Sequence, residues 1–259
     1  MRKEKIGNLE IRTFFNLEEL SRHVAQLFVS TSKKATGAGR IFTVSLSGGS
    51  TPKRFYEVLV ADFKEDINWQ KVHIFWGDER GGKDNPESNF QLAFQIWLQK
   101  ITEEIPSFEN NIHRIKMEMG LIEGAKEYAE ELEKWAPAGF NLAINGAGSD
   151  GHRNGVMPEN PKIDWKNEIW GLPENIKVWG YEVPSEVNPY TKRITLTPWF
   201  LNKSEINVLM LSGKDKAELL KKITIDREKY TNRELPAITF NDAPTIILTD
   251  ETAASQVNF

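Results

Sequence analysis

The stretch Ile41–Pro52 reads IFTVSLSGGSTP and joins a short apolar, β-branched run to a turn with two glycines. A helical pattern follows from Lys53 to about Asp62. Valine, isoleucine, threonine and phenylalanine favour a strand, whereas glycine and proline favour a turn. The stretch therefore predicts a strand, a glycine turn and a helix, in that order.

The same unit recurs along the chain, where Val72–Trp76 ends in Gly77-Asp78-Glu79-Arg80 and Phe140–Asn145 ends in Gly146-Ala-Gly-Ser-Asp-Gly-His152. A first helix is predicted to begin near Asn16, which can cap it. Similar patterns predict strands at 177–181, 193–197, 206–211 and 245–249, helices near 88–100, 121–135 and 214–223, and a long loop over about 154–175. This alternation predicts an α/β fold, in which a mostly parallel sheet carries helices on both faces.

Composition narrows the class of protein. The chain has 259 residues, of which 39% are hydrophobic and 27% charged, so residues 1–259 are expected to fold as a single α/β domain. The 33 basic and 37 acidic residues are scattered, which argues against nucleic acid or a membrane as partner and favours a small molecule. The sequence contains no cysteine, which excludes disulfides and thiolate catalysis, and no apolar run long enough to span a bilayer. We expect a cytoplasmic monomer or homodimer.

Polar clusters follow three of the predicted strands, and ligands bind outside the carboxyl ends of strands in such sheets. The first cluster, Ser47-Gly48-Gly49-Ser50-Thr51, offers backbone N–H groups, hydroxyls and the start of a helix, which together suit a phosphate group. An ordinary strand-to-helix turn would contain the same residue types. We therefore expect the three clusters to line one crevice, with this loop as a candidate phosphate site.

The other two clusters carry ionisable groups. Asp78 and Arg80 lie just past a buried strand, where a carboxylate could transfer a proton and the guanidinium could bind a phosphate. Taken alone, this motif is better explained by a solvated charged turn. Asp150 is placed to orient His152 as a general base for water. The remaining histidines, at positions 23, 73 and 113, fall in patterns typical of structural residues. On spacing alone, Arg193 and Lys216 are expected to be surface residues.

The motifs together resemble a known family. Ser47–Pro52, Gly77–Arg80 with Ser88-Asn89, Gly146–His152, Arg193–Thr197, Gly213-x-x-Lys216-Ala217 and Thr249–Ala254 are similar, in order and spacing, to the motifs of 6-phosphogluconolactonases and glucosamine-6-phosphate isomerases. The resemblance covers roughly residues 10–255. It implies a Rossmann-like isomerase/lactonase fold, with no metal and no organic cofactor.

The resemblance also implies roles for individual residues. His152 would activate water, with Asp150 orienting its imidazole, to open 6-phosphoglucono-δ-lactone to 6-phosphogluconate in the pentose phosphate pathway. The substrate and its phosphate would be bound by the first cluster, Ser47, Gly48, Gly49, Ser50 and Thr51, together with Asp78, Arg80, Arg193 and Lys216. The implied partner is therefore a small-molecule sugar phosphate.

The chain departs from the family pattern next to the histidine. Lactonases usually continue Thr-Ala-Ser-Leu-Phe-Pro, whereas Arg153–Pro158 reads RNGVMP, and Gly81-Gly82-Lys83 replaces the usual apolar residue and Val-Pro after Arg80. We expect Arg153 to affect the histidine, or to contact a substrate anion, if it points into the crevice. Two alternatives remain open. One is an aldose–ketose isomerase or deaminase, although that branch has a glutamate where Met157 stands. The other is a sugar-phosphate-binding protein that has lost turnover.

Overall fold

The computed structural model describes residues 1–160, 162–239 and 245–257, and these residues form ten strands in two sheets. The strands are β1 (Arg2–Ile6), β2 (Leu9–Phe14), β3 (Phe42–Leu46), β4 (Val72–Trp76), β5 (Asp78–Glu79), β6 (Leu142–Gly146), β7 (Val178–Glu182), β8 (Lys192–Leu196), β9 (Asn207–Leu211) and β10 (Thr245–Asp250). Seven of them form the central sheet in the order β1-β2-β10-β9-β6-β3-β4. All neighbours in it are parallel except β1 and β2, which confirms the mostly parallel α/β fold.

The second sheet was not predicted as a separate layer. The strands expected at 177–181 and 193–197 form, as β7 and β8, but they lie outside the central sheet in an antiparallel sheet of order β5-β8-β7. The segment between β7 and β8 contains no helix, and a parallel connection needs a crossover that is usually helical. The short link therefore makes these two strands antiparallel.

Gly77 joins the two sheets, because it is the single residue between β4 and β5. Its N–H donates to the carbonyl of Leu46 at the end of β3, 2.8 Å away, and its carbonyl accepts from the N–H of Leu196 in β8, also at 2.8 Å. A Cβ at this position would lie 2.6 Å from Nδ2 of Asn154. Only glycine therefore fits where the chain passes from one sheet to the other.

In the described part of the chain, seven α-helices flank the sheets: α1 (Leu17–Gly37), α2 (Ser50–Asp62), α3 (Asn89–Ala93), α4 (Gln99–Glu104), α5 (Leu121–Trp135), α6 (Pro198–Leu201) and α7 (Ala217–Thr224). The predicted cap of α1 is confirmed, since Asn16 Oδ1 accepts from the N–H of Glu19 at 3.0 Å. A π-helical segment, Phe94–Leu98, joins α3 to α4, so the helix expected near 88–100 extends to Glu104. The predicted helices at 121–135 and 214–223 are also present, the latter beginning with the 3-10 turn Lys214–Lys216.

The N-terminal hairpin was missed from the sequence. In β2, Leu9, Ile11 and Thr13 are buried, while the residues between them are half exposed. This alternation is the pattern of a strand with one covered face, and Gly7, with φ of 56°, supplies the turn from β1. The strand then pairs in parallel with β10 and extends the central sheet.

The predicted loop over 154–175 has a small apolar core of its own, apart from residue 161, which lies outside the described residues. Val156, Met157 and Ile169 pack there with Tyr181 and Val183. The core proper lies between the central sheet and its helices. Within the described part of the chain, no helix is both long and apolar enough to cross a membrane.

Candidate active site

The parallel strands β3, β4, β6 and β9 end at one cleft of about 190 Å³. Every residue predicted for the site lines this cleft except Asp150, which lies behind His152. The lining consists of Ser47, Gly48, Gly49, Ser50, Thr51, Pro52, Asp78, Arg80, Asn89, Gly146, Ala147, Gly148, His152, Asn154, Arg193, Met210 and Lys216. The topology thus brings together residues that are as much as 169 positions apart, from Ser47 to Lys216.

The glycine loop places the start of α2 in the cleft. Gly49 has φ of 99° and directly precedes the helix, which begins at Ser50, three residues before the predicted start. A Cβ on Gly48 would lie 1.8 Å from Oδ1 of Asn89, so the loop can approach that side chain only as glycine. No side chain of the described residues caps α2. Its first N–H groups and the positive end of its dipole therefore face the cleft, which suits an anion.

Arg193 is almost fully buried, so the expectation from spacing that it is a surface residue is wrong. Its Nη1 lies 3.4 Å from Oδ2 of Asp78, which provides the opposite charge that a buried guanidinium needs. Burial lowers the pKa of Arg193, and the nearby Asp78 carboxylate opposes that effect. The pairing across β5 and β8, in which Asp78 faces Thr195, brings the two residues together.

Two further cations reach the cleft from separate elements. Arg80 follows β5, and its Nε donates to the carbonyl of Glu87 at 3.1 Å. Lys216 ends the turn after β9, where Gly213 has φ of 96°. The Lys216 side chain is only 18% exposed, with Nζ 3.4 Å from Oδ2 of Asp215, so it too is less accessible than its spacing indicated.

The side chains of His152 and Asp150 lie next to each other in the loop after β6. Nδ1 of His152 lies 2.7 Å from Oδ1 of Asp150, although the oxygen is out of line with an Nδ1–H bond. The same oxygen accepts from the backbone N–H of His152 at 3.2 Å. Burial alone would raise the pKa of Asp150, but the contacts with His152 outweigh it and lower that pKa. The carboxylate is therefore charged near neutral pH and can orient the imidazole.

Gly148 makes room for this pair. A Cβ on it would lie 2.2 Å from Cε1 of His152 and 2.4 Å from Oδ1 of Asp150. Both distances are far shorter than a non-bonded contact. A residue larger than glycine at this position would therefore clash with both side chains.

Arg153 does not line the cleft. Its side chain is fully buried and points into the protein body. There Nη1 donates to Asn202 Oδ1 and Thr239 Oγ1, each at 3.2 Å, and Nη2 donates to Asn207 Oδ1 at 3.4 Å. Arg153 thus holds the histidine loop from the side away from the cleft. Although it departs from the family pattern, its side chain does not enter the cleft, which its neighbours His152 and Asn154 line.

Glu79 belongs to the scaffold rather than to the cleft. It accepts from the backbone N–H of Arg80 at 2.8 Å, from those of Asn89 and Phe90 at 3.0 Å, and from Ser88 Oγ at 2.8 Å. Burial raises the pKa of this carboxyl, and these hydrogen bonds oppose that shift. Of the two neighbouring carboxylates, only Asp78 faces the cleft.

The sequence reading missed several lining residues. Asn89 donates through Nδ2 to the carbonyl of Asp78 at 2.9 Å and to its Oδ1 at 3.2 Å. Asn154 adopts φ of 49°, a conformation that asparagine tolerates better than most residues, and donates to Asn145 Oδ1 at 2.9 Å. Ser88-Asn89 belongs to the motifs on which the family resemblance rests, so the sequence did contain a signal for Asn89. Nothing in the sequence pattern distinguished Asn154 or Met210.

The other histidines lie outside the cleft. His73 Nδ1 is 2.9 Å from His113 Nε2, and His113 Nδ1 is 2.6 Å from Glu131 Oε2, within a cluster of aromatic rings. His23 lies on α1 beside Arg12. In the described part of the chain, no group of three or more histidine, aspartate or glutamate side chains is arranged to hold a metal ion.

The fold and the cleft define an α/β protein in which a glycine loop, three cations and a histidine beside a carboxylate meet at the carboxyl edge of a parallel sheet. Comparison with known proteins identifies the family. The chain belongs to the glucosamine-6-phosphate isomerases/6-phosphogluconolactonase family, whose model matches residues 16–247.

Similar proteins carry the lactonase name. The chain is 32% identical to a 6-phosphogluconolactonase of Haemophilus influenzae over 70% of its own length and 72% of the relative. It is 28% identical to a probable 6-phosphogluconolactonase of Arabidopsis thaliana over 95% of each chain. Among solved structures, 6-phosphogluconolactonase from Trypanosoma cruzi superposes with a TM-score of 0.77 at 20% identity, over 96% of this chain and 97% of the other. A monomeric glucosamine-6-phosphate deaminase superposes with a TM-score of 0.76 at 19% identity, over 95% and 99%, so both branches share the fold.

Proposed function

We propose that this protein hydrolyses 6-phosphoglucono-δ-lactone to 6-phosphogluconate. The observation that carries the proposal is one cleft that holds both an anion site and a histidine paired with a carboxylate. Hydrolysis of a phosphorylated lactone needs both parts, since one binds the phosphate and the other activates water. The relatives named 6-phosphogluconolactonase support the same substrate.

The phosphate binds between the N-terminus of α2 and the three cations Arg80, Arg193 and Lys216. The glycine loop contributes backbone N–H groups and the hydroxyls of Ser47, Ser50 and Thr51 at the same place. Anchoring this remote group fixes the position of the lactone carbonyl, and such orientation converts binding energy into rate. Asp78 holds Arg193 in place and offers an acceptor for a sugar hydroxyl.

His152 then acts as the general base. When the imidazole carries its proton on Nδ1, beside the Asp150 carboxylate, Nε2 is unprotonated and removes a proton from water. The water oxygen forms a bond to the lactone carbonyl carbon, and the tetrahedral intermediate collapses by breaking the bond between that carbon and the ring oxygen. The imidazolium returns its proton to the departing ring oxygen. The product acid ionises at neutral pH and releases one proton.

Isomerisation of an amino-sugar phosphate is the second candidate, and the geometry favours it less. Met157, which stands where that branch has its glutamate, is fully buried and does not line the cleft. Glu159, two residues later, is bonded to Arg233 Nη1 at 2.8 Å and to the N–H of Asn167 at 3.1 Å. The cleft therefore has no carboxylate from this segment to assist ring opening.

A binding protein without turnover is the third candidate. The altered loop after His152 suggested this candidate, and the buried position of Arg153 weakens that argument. Since the histidine still lines the cleft beside Asp150, the loop change gives no reason to expect loss of the base.

Proton release tests the proposal directly. Purified protein is mixed with freshly generated 6-phosphoglucono-δ-lactone, spontaneous hydrolysis is subtracted, and glucosamine 6-phosphate is assayed in parallel. We expect rapid acid production that His152→Ala reduces by at least about 100-fold, while 6-phosphogluconate still binds. His23→Ala, a histidine outside the cleft, is the matched control and should keep full activity. Activity of His152→Ala equal to the wild type would remove the histidine from the mechanism.

We further propose that residues 1–259 act as one domain, as a monomer or homodimer in the cytoplasm. The family match from 16 to 247 supports a single unit, because it includes strands of both sheets. The bacterial relatives support the location, whereas one rice relative is named as chloroplastic. Light scattering after gel filtration distinguishes the two oligomeric states.

A further inference from the structure

The turn Asn188-Pro189-Tyr190, between β7 and β8, contacts two cations of the cleft without lining the cleft itself. Arg193 donates through Nε to the carbonyl of Tyr190 at 3.2 Å and through Nη2 to Asn188 Oδ1 at 2.8 Å. Arg80 lies over the ring of Tyr190, with Cζ 5.0 Å from the ring centroid. The Arg193 Cζ is 6.0 Å from the same centroid. One aromatic ring therefore contacts both guanidinium groups.

Two guanidinium groups directed at one cleft repel each other. Burial lowers the pKa of Arg193 most, and the positive charge of Arg80 lowers it further. The face of an aromatic ring attracts cations, so a ring between the two groups offsets part of their repulsion. The ring also restricts the long side chain of Arg80. The only side-chain hydrogen bond described for Arg80 is the one from Nε to the Glu87 carbonyl.

A hydrogen bond within the turn holds Tyr190 in place. The backbone N–H of Tyr190 donates to Asn188 Oδ1 at 3.0 Å, so this one oxygen accepts from both Tyr190 and Arg193. The Glu87 carboxylate, as an acceptor and through its negative charge, raises the pKa of the Tyr190 hydroxyl. Glu87 thus interacts with Tyr190 through its side chain and accepts from Arg80 through its carbonyl, so both residues share one neighbour.

We propose that this turn positions Arg80 and Arg193 to bind the substrate phosphate, with Tyr190 as the central positioning residue. The inference rests on the proposed function, because it takes a sugar phosphate as the ligand. It adds a role for a segment outside the cleft, since neither Asn188 nor Tyr190 lines it. The turn acts through the two arginines and does not touch the reacting atoms.

Binding of 6-phosphogluconate, measured by calorimetry, tests this role without requiring turnover. Tyr190→Ala removes the ring and is expected to raise the Kd about tenfold. Tyr190→Phe keeps the ring and is expected to stay within about twofold of the wild type. Tyr230→Ala is the matched control, because Tyr230 lies beside Lys222 and away from the cleft, and its Kd should not change.

Kinetics separate positioning from a general structural role. With 6-phosphoglucono-δ-lactone as substrate, Tyr190→Ala should raise KM about tenfold and leave kcat within about twofold, since His152 and its carboxylate are untouched. Asn188→Ala provides a second test if Tyr190→Ala does not fold in a thermal melt. It removes the acceptor for Arg193 and should also raise the Kd.

The outcomes are distinguishable. A wild type that binds 6-phosphogluconate but does not hydrolyse the lactone overturns the proposed function, and the Kd comparison still decides the role of the turn. An unchanged Kd in folded Tyr190→Ala, or an equal loss in Tyr190→Phe, overturns the role of the ring. A wild type that binds no 6-phosphogluconate overturns both proposals.

Discussion

The buried pair His73 and His113 predicts that the protein loses stability in mild acid. His73 lies on β4 against the ring of Trp135 and is buried with its Nδ1 beside His113. Burial, followed by the charge of His113, lowers the pKa of His73 from 6.5 to about 4. Glu131 opposes this shift and Lys134 adds to it, both from α5, and they are the other charged groups that influence this ring. The folded state therefore holds fewer protons on this group than the unfolded chain does.

The sign and size follow from linkage. Because the unfolded histidine takes up a proton below its ordinary pKa of 6.5 and the folded one does so only near 4, the free energy of unfolding falls as the pH drops through this window. Between pH 7 and pH 5 the loss attributable to His73 is about 2 kcal/mol, since one pKa unit corresponds to about 1.4 kcal/mol. The wild type loses additional stability from His113, whose pKa burial also lowers.

Urea denaturation at several pH values between 7 and 5 measures the effect in the wild type and in His73→Phe. The phenylalanine keeps an aromatic ring in place but cannot titrate, so its stability should depend less on pH by about 2 kcal/mol over this range. Comparing the slopes of unfolding free energy against pH cancels any loss of stability that the substitution causes equally at every pH. Equal pH dependence in the two proteins would refute the reasoning.

Two further substitutions test the site and the fold. Gly148→Ala would place a methyl group 2.2 Å from the His152 ring, so kcat for the lactone should fall by about 100-fold or more. The control Gly171→Ala should keep its activity, because its Cβ would meet nothing within 4 Å. Full activity in Gly148→Ala would contradict the assigned histidine geometry. Asn16→Ala removes the cap of α1 and should lower the free energy of unfolding by about 1 kcal/mol in urea, and no change would show that the cap contributes little.

Five strands of the central sheet and three of the site loops could be predicted because their signals are local. A short β-branched run followed by glycine, as at Leu46–Gly49, indicates both a strand and its end without knowledge of the rest of the chain. The parallel arrangement then brings such strand ends to one edge. The cap at Asn16 was predictable for the same reason, since it depends on residues three positions apart.

The parts that could not be predicted depend on distant pairing. Arg193 is buried because Asp78, 115 positions earlier, faces it across the small sheet, and nothing near Arg193 in sequence indicates that partner. The direction in which Arg153 points is likewise decided by Asn202, Asn207 and Thr239. Comparison with the family motifs singled out these two cations, but only the tertiary structure separates the one in the cleft from the one beneath it.

Gly77, the single residue that connects the two sheets, has a consequence for ligand binding in the cleft. Because its N–H and carbonyl bond to different sheets, Asp78 and the β8 wall that carries Arg193 are fixed to the central sheet by backbone hydrogen bonds. That wall is therefore preorganised before a ligand arrives, and association loses little conformational entropy there. The entropy that remains to be lost on binding belongs to long side chains such as Lys216 and to the ligand itself.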